Sequence, residues 1–67
     1  MYLSLDIKKI MLAMARKNMS VTKLAEAYGV SRARINVILN QRRVSLPTAG
    51  RLAEALDVDV KELLVDD

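Results

Sequence analysis

A single glycine, Gly29, separates two short segments that each have the apolar spacing of a helix and each begin just after a serine. This arrangement limits the possible folds of the chain more than any other feature. In the first segment, VTKLAEAY, Leu24, Ala25 and Tyr28 fall on one helical face, and the Ser20 hydroxyl can accept a hydrogen bond from the free N–H groups of the first turn. Gly29 then stops the helix, because the left-handed conformation of a helix terminus costs glycine no steric strain. In the second segment, RARINVILN, Ser31 is the cap, Ile35 and Ile38 share a face, and Arg32, Ala33, Asn36 and Val37 lie on others. The spacing therefore predicts two short helices meeting at a tight corner, the second with a polar, arginine-rich outer face.

The same reading extends in both directions. Ile7, Ile10, Met11 and Met14 recur with helical spacing and predict a first helix from about Leu5 to Lys17, ended by Asn18, with Lys8, Lys9, Arg16 and Lys17 on its other faces. Asn40 to Arg43 reads as a loop. Ser45 caps a fourth helix with Pro47 in its first turn and Leu52, Ala53 and Leu56 as its buried stripe. After a break at Asp57 to Asp59, VKELLV predicts a last short helix with Val60, Leu63 and Leu64 on its apolar side. Gly50, inside the fourth helix, is read as a close helix contact, since glycine there otherwise costs roughly 1 kcal/mol relative to alanine. No segment alternates as a strand does over more than a few residues. The expected fold class is all-α, a compact bundle of five short helices. With 67 residues the chain is too short for two independent cores, so one domain over 1–67 is expected.

Composition narrows the chemistry. Without cysteine or histidine there is no disulfide, no thiolate or imidazole metal ligand and no general base titrating near neutral pH. Nor is there a glycine-rich phosphate loop or a converging pair of carboxylates, so no enzymatic activity, metal or cofactor is expected. No apolar run approaches the roughly 20 residues needed to span a bilayer, and no basic segment followed by a long apolar stretch opens the chain. A cytoplasmic protein without membrane association is expected, stabilised by packing and helped by oligomerisation. The net charge of +3 is unevenly spread: residues 1–43 carry nine Lys and Arg against Asp6 and Glu26, a balance of +7, and residues 44–67 carry a balance of −4. A basic first part suits a polyanion such as nucleic acid, and an acidic end helps to orient the approach.

Ala25, Gly29, Val30 and Ile35 together describe a helix-turn-helix: a small residue where the helices cross, a glycine at the corner, and apolar side chains pinning the turn. The run LAEAYGVSRARINVILN from Leu24 to Asn40, followed by SLPTAGRLAEALDVDVKELL from Ser45 to Leu64, resembles the phage repressor and Cro family of helix-turn-helix regulators, the XRE family. The second run lies outside the helix-turn-helix and makes the resemblance span nearly the whole chain.

The resemblance implies sequence-specific binding of double-stranded DNA and transcriptional regulation, with repression favoured because a lone DNA-binding domain can block polymerase unaided. It implies base contacts from Arg32, Ala33, Asn36 and Val37. Arginine can donate a bidentate pair to guanine, asparagine can read adenine, and the methyl groups of alanine or valine can meet that of thymine. Ser20, Lys23, Arg34, Asn40, Arg42 and Arg43 are the expected phosphate contacts, with Arg34 also able to reach a base, and Arg16 and Lys17 add to the field. The chain departs from the family at Val21, where many members have a glutamine that bridges DNA and the recognition helix. It departs again at Leu39 and Gln41, where an acidic residue and a glycine are frequent, which predicts a longer or differently capped exit from the third helix. Nothing after the fifth helix suggests a sensor domain, so ligand-responsive regulation within the chain is not expected.

Apolar residues near the end of the chain, Val58, Val60, Leu63 and Leu64, are the expected contact of a homodimer that reads an inverted-repeat operator. The competing reading is an antitoxin-like protein that binds a toxin partner and its own promoter.

Overall fold

The computed structural model describes residues 1–66. Four α-helices carry most of the chain: α1 (Ile7–Arg16), α2 (Val21–Tyr28), α3 (Arg32–Asn40) and α4 (Leu46–Leu56). They are followed by a 3₁₀ turn, Val60–Leu63, and joined by two short strands, β1 (Tyr2–Ser4) and β2 (Arg43–Ser45). The expectation of an all-α bundle of five helices is corrected in two places. The fifth helix is a single 3₁₀ turn, closed by a capping box in which Lys61 N–H donates to Asp59 Oδ1 and Asp59 N–H donates to Glu62 Oε2. Beyond it Leu64 is extended and bridges to Leu5. The second correction is a small antiparallel sheet in which Tyr2, Leu3 and Ser4 pair with Ser45, Val44 and Arg43.

That pairing explains why α1 starts two residues later than its spacing suggests. Leu5 remains in extended backbone, its N–H donating to the Arg42 carbonyl at 2.8 Å, and Asp6 becomes the cap, accepting from Lys8 and Lys9 N–H. On the other side of β1, Val65 N–H donates to the Ser4 carbonyl and Asp6 N–H to that of Leu63. The first strand thereby ties the segment after α3 to the end of the chain.

Each remaining helix begins at a serine cap: Ser20, Ser31 and Ser45 accept from Lys23, Arg34 and Thr48 N–H. Three helices end at a left-handed residue, Asn18 (φ 54°), Gly29 (φ 95°) and Asp57 (φ 55°). Met19 N–H to the Met14 carbonyl and Val58 N–H to that of Ala53 are the long hydrogen bonds that close such ends. The buried residues form one contiguous cluster, centred on the fully buried Ile10, Leu24, Ile35, Leu52, Leu56 and Leu63. α1 sits in this core through Ile10 and Ala13, with Met14 packed beside them, whereas Ile7 and Met11 are exposed; its apolar stripe is rotated from the one the spacing suggested. Gly50 is also corrected: a Cβ there would meet open space, so no close helix contact requires glycine. Among the described residues no helix is long and apolar enough to cross a membrane.

Candidate nucleic-acid interface

The corner between α2 and α3 is built from backbone geometry. Gly29 and Val30 N–H both donate to the Ala25 carbonyl, at 2.8 and 3.0 Å, so the chain leaves α2 through the left-handed Gly29 and re-enters helix at Ser31 within three residues. Ala25 is buried at the crossing, and Ile35 and Ile38 hold α3 against the core. Fixing that face inward leaves the opposite face outward, and there Arg32, Ala33, Asn36, Val37 and Asn40 are all exposed. α3 has nine residues, about 13 Å of helix at roughly 1.5 Å per residue, close to the approximately 12 Å width of a major groove.

A residue outside the expected set fixes this corner. Arg51, on α4, donates from Nη2 to the Tyr28 carbonyl at 2.8 Å and lays its guanidinium over the Tyr28 ring, with Cζ 4.4 Å from the ring centroid. It satisfies a carbonyl at the end of α2 and clamps α4 to the turn. Sequence reasoning missed Arg51 because the partner is a backbone atom 23 residues away. Its one signal was that Arg51 and Lys61 are the two cations in the mostly acidic last third of the chain.

The expected phosphate contacts stand on α2 and at both ends of α3. Ser20 and Lys23 are exposed in the first turn of α2, where the N–H groups of Val21 and Thr22 have no intrahelical acceptor. Val21 packs against the core, so it does not replace a polar bridging residue with an outward one. Arg34 is exposed on the flank of α3 opposite Arg32. After Asn40 the helix closes without a left-handed residue: Gln41 is extended at φ −81° and ψ 124°. Arg42 and Arg43 then enter the sheet, with the Arg42 carbonyl held by Leu5 and the Arg43 guanidinium lying 6.0 Å from the Tyr2 ring centroid. The unexpected β1 is therefore what sets the path of this arginine pair.

Ion pairs sort the cations into two groups. Lys9 with Asp66 (2.9 Å), Lys17 with Asp57 (3.2 Å) and Arg16 with Glu62 (3.8 Å) join α1 to the acidic end of the chain. Among the described residues no carboxylate lies within ion-pair distance of Lys23, Arg32, Arg34, Arg42 or Arg43. Arg16 and Lys17 are thus paired within the protomer, and of the cations with no carboxylate partner among the described residues five lie on α2, on α3 and in the segment entering β2, the others being Lys8, Arg51 and Lys61.

The expected dimer residues are placed differently. Leu63 is fully buried in the protomer's own core and is not available to a partner, which corrects that part of the expectation. Val58, Val60 and Leu64 are half-buried against the same core.

A family model for the Cro/C1-type HTH DNA-binding domain matches residues 9–67. No curated protein and no solved structure matches the chain.

Proposed function

The chain belongs to the Cro/C1-type helix-turn-helix DNA-binding family, and from that premise we propose that it is a cytoplasmic transcriptional repressor reading a specific double-stranded operator with α3. The observation that carries the reading is the outward face of α3, where Arg32 stands beside Ala33, Asn36 and Val37 with no carboxylate among the described residues paired to it. Arg32 reads guanine, Asn36 reads adenine, and Ala33 and Val37 meet thymine methyl groups. Ser20 and Lys23 hold a phosphate at the start of α2, and Arg34, Asn40, Arg42 and Arg43 hold the backbone around α3.

The longest dimension of the protomer is 29 Å, less than the roughly 34 Å between successive half-sites on one face of a duplex. One protomer thus covers one half-site. Two copies related by a two-fold axis read an inverted repeat, and repression follows from occupying DNA that polymerase needs.

Selection of bound sequences from a random duplex pool, with an Arg32→Ala variant in parallel, tests the proposal. Enrichment of an inverted repeat that relaxes at one position per half-site in the variant is expected. Failure to enrich any sequence would overturn specific readout and turn attention to a protein partner.

A further inference from the structure

The two-stranded sheet has a solvent face that the reading of bases by α3 leaves unused. Val44 is buried and Leu3 packs against the core, so the alternation of a strand turns Tyr2, Ser4 and Arg43 the other way, and all three are exposed. Ser45 completes that face and is already occupied, its hydroxyl donating to Thr48 Oγ1 and accepting from Thr48 N–H. The register sets Ser4 opposite Arg43 and Tyr2 opposite Ser45. Tyr2 is 63% exposed, and Arg43 Cζ lies 6.0 Å from its ring centroid, at the outer limit of attraction between a cation and a ring. Two free hydroxyls and a guanidinium, all hydrogen-bond donors, thus share one small face, and among the described residues no carboxylate is paired with Arg43.

We propose that this face is a second DNA contact of the protomer, in which the Tyr2 hydroxyl donates to a backbone phosphate beside the one held by Arg43. The inference rests on the DNA reading proposed above and adds to it a residue from β1. Three observations select the DNA backbone as the occupant. The face is continuous with the candidate interface, because Arg43 follows Asn40, the end of α3, by three residues, which bounds their separation at about 11 Å. The only charge on the face is the positive one of Arg43. Its donors, hydroxyl and guanidinium, are of the kinds that hold phosphate oxygens. Tyr2 pairs with Ser45, two residues or about 7 Å beyond Arg43 on the strand that leads away from α3. The phosphate it meets therefore flanks the bases read by α3 and adds affinity without sequence information. The ring and the hydroxyl of Tyr2 have separate parts: the ring restricts the conformers open to Arg43, and the hydroxyl supplies the donor.

The test is the affinity of the full chain for its selected duplex, the natural protein against Tyr2→Phe and Tyr2→Ala. It is repeated on duplexes in which single flanking phosphates are replaced by uncharged methylphosphonates. Tyr2→Phe keeps the ring and removes only the hydroxyl, and an unchanged thermal melt verifies its fold. It is expected to bind about tenfold more weakly, the loss of one hydrogen bond to a charged group, with the same preferred bases. Tyr2→Ala is expected to lose at least as much. One flanking methylphosphonate is expected to weaken the natural protein and to leave Tyr2→Phe no weaker than it already is, a pattern that a purely structural role for Tyr2 does not produce. A Tyr2→Phe protein that binds as the natural one does, or that keeps its sensitivity to every methylphosphonate, overturns the proposal. Arg32→Ala separates the two readings. Base preference lost in that variant, beside Tyr2 variants that bind normally, overturns this contact alone, whereas a natural protein that prefers no sequence overturns the reading by α3 and this contact with it.

Discussion

Lys23 and Arg32 are both exposed cations with no carboxylate partner among the described residues, and the proposed function gives them different work. In the proposed complex Lys23, in the first turn of α2, meets phosphate, which is the same in every sequence. Removing it as Lys23→Ala is expected to weaken binding evenly across sequences and to lower the salt slope by about one. Arg32 stands at the start of the outward face of α3. Its loss in Arg32→Ala is expected to remove about 1–3 kcal/mol of discrimination at one base pair of each half-site, measured by titrating single-base variants of the selected operator. The two glycines divide in the same way. Gly29 is held at φ 95°, so Gly29→Ala is expected to cost about 1–2 kcal/mol of stability. Gly50 lies in regular helix with open space where a Cβ would go, and Gly50→Ala is expected to raise stability by about 0.5–1 kcal/mol in denaturant unfolding.

At the scale of the element, what could be read in advance was whatever short-range chemistry determines. α2 and α3 run over the residues their serine caps and spacing mark, because capping, the glycine stop and the phase of Leu24, Ala25, Ile35 and Ile38 are all local. β1 and β2 could not be read this way. Three residues are too few for alternation to register, and what makes them strands is a pairing between residues about 40 positions apart. The phase of α1 failed for a related reason: with apolar residues around most of the helix, periodicity alone does not choose which face is inward. Of the candidate site, the exposure of Arg32, Ala33, Asn36 and Val37 on one face was legible from α3 alone, whereas Arg51 and the path of Arg42 and Arg43 depend on contacts across the fold. The cap that starts α3 is the Ser31 hydroxyl, which accepts from Arg34 N–H. Ser31→Ala is expected to cost about 1 kcal/mol in thermal or chemical unfolding and to weaken operator binding, while the cap-independent exposed substitution Lys8→Gln leaves stability unchanged.

Over the whole molecule, the opposite charges of the two parts of the chain fold onto each other through α1. Three cations, Lys9, Arg16 and Lys17, are paired with carboxylates, and among the described residues Lys23, Arg32, Arg34, Arg42 and Arg43 stay unpaired on α2, on α3 and in the segment entering β2. A net charge of only +3 is thus compatible with a local concentration of positive charge around α3. Binding strength is expected to fall steeply with salt, and neutralising Arg42 and Arg43 together is expected to flatten that dependence far more than neutralising Arg16 and Lys17 together. The central claim is that α3 is the surface that reads DNA, and the backbone amide spectrum of isotope-labelled protein titrated with the selected operator tests it most directly. The account predicts that the largest shifts, and contacts to base protons, fall on Arg32 to Val37, with smaller shifts at Ser20 to Lys23 and at Asn40 to Arg43. Saturable binding that leaves the amides of α3 unmoved would contradict it.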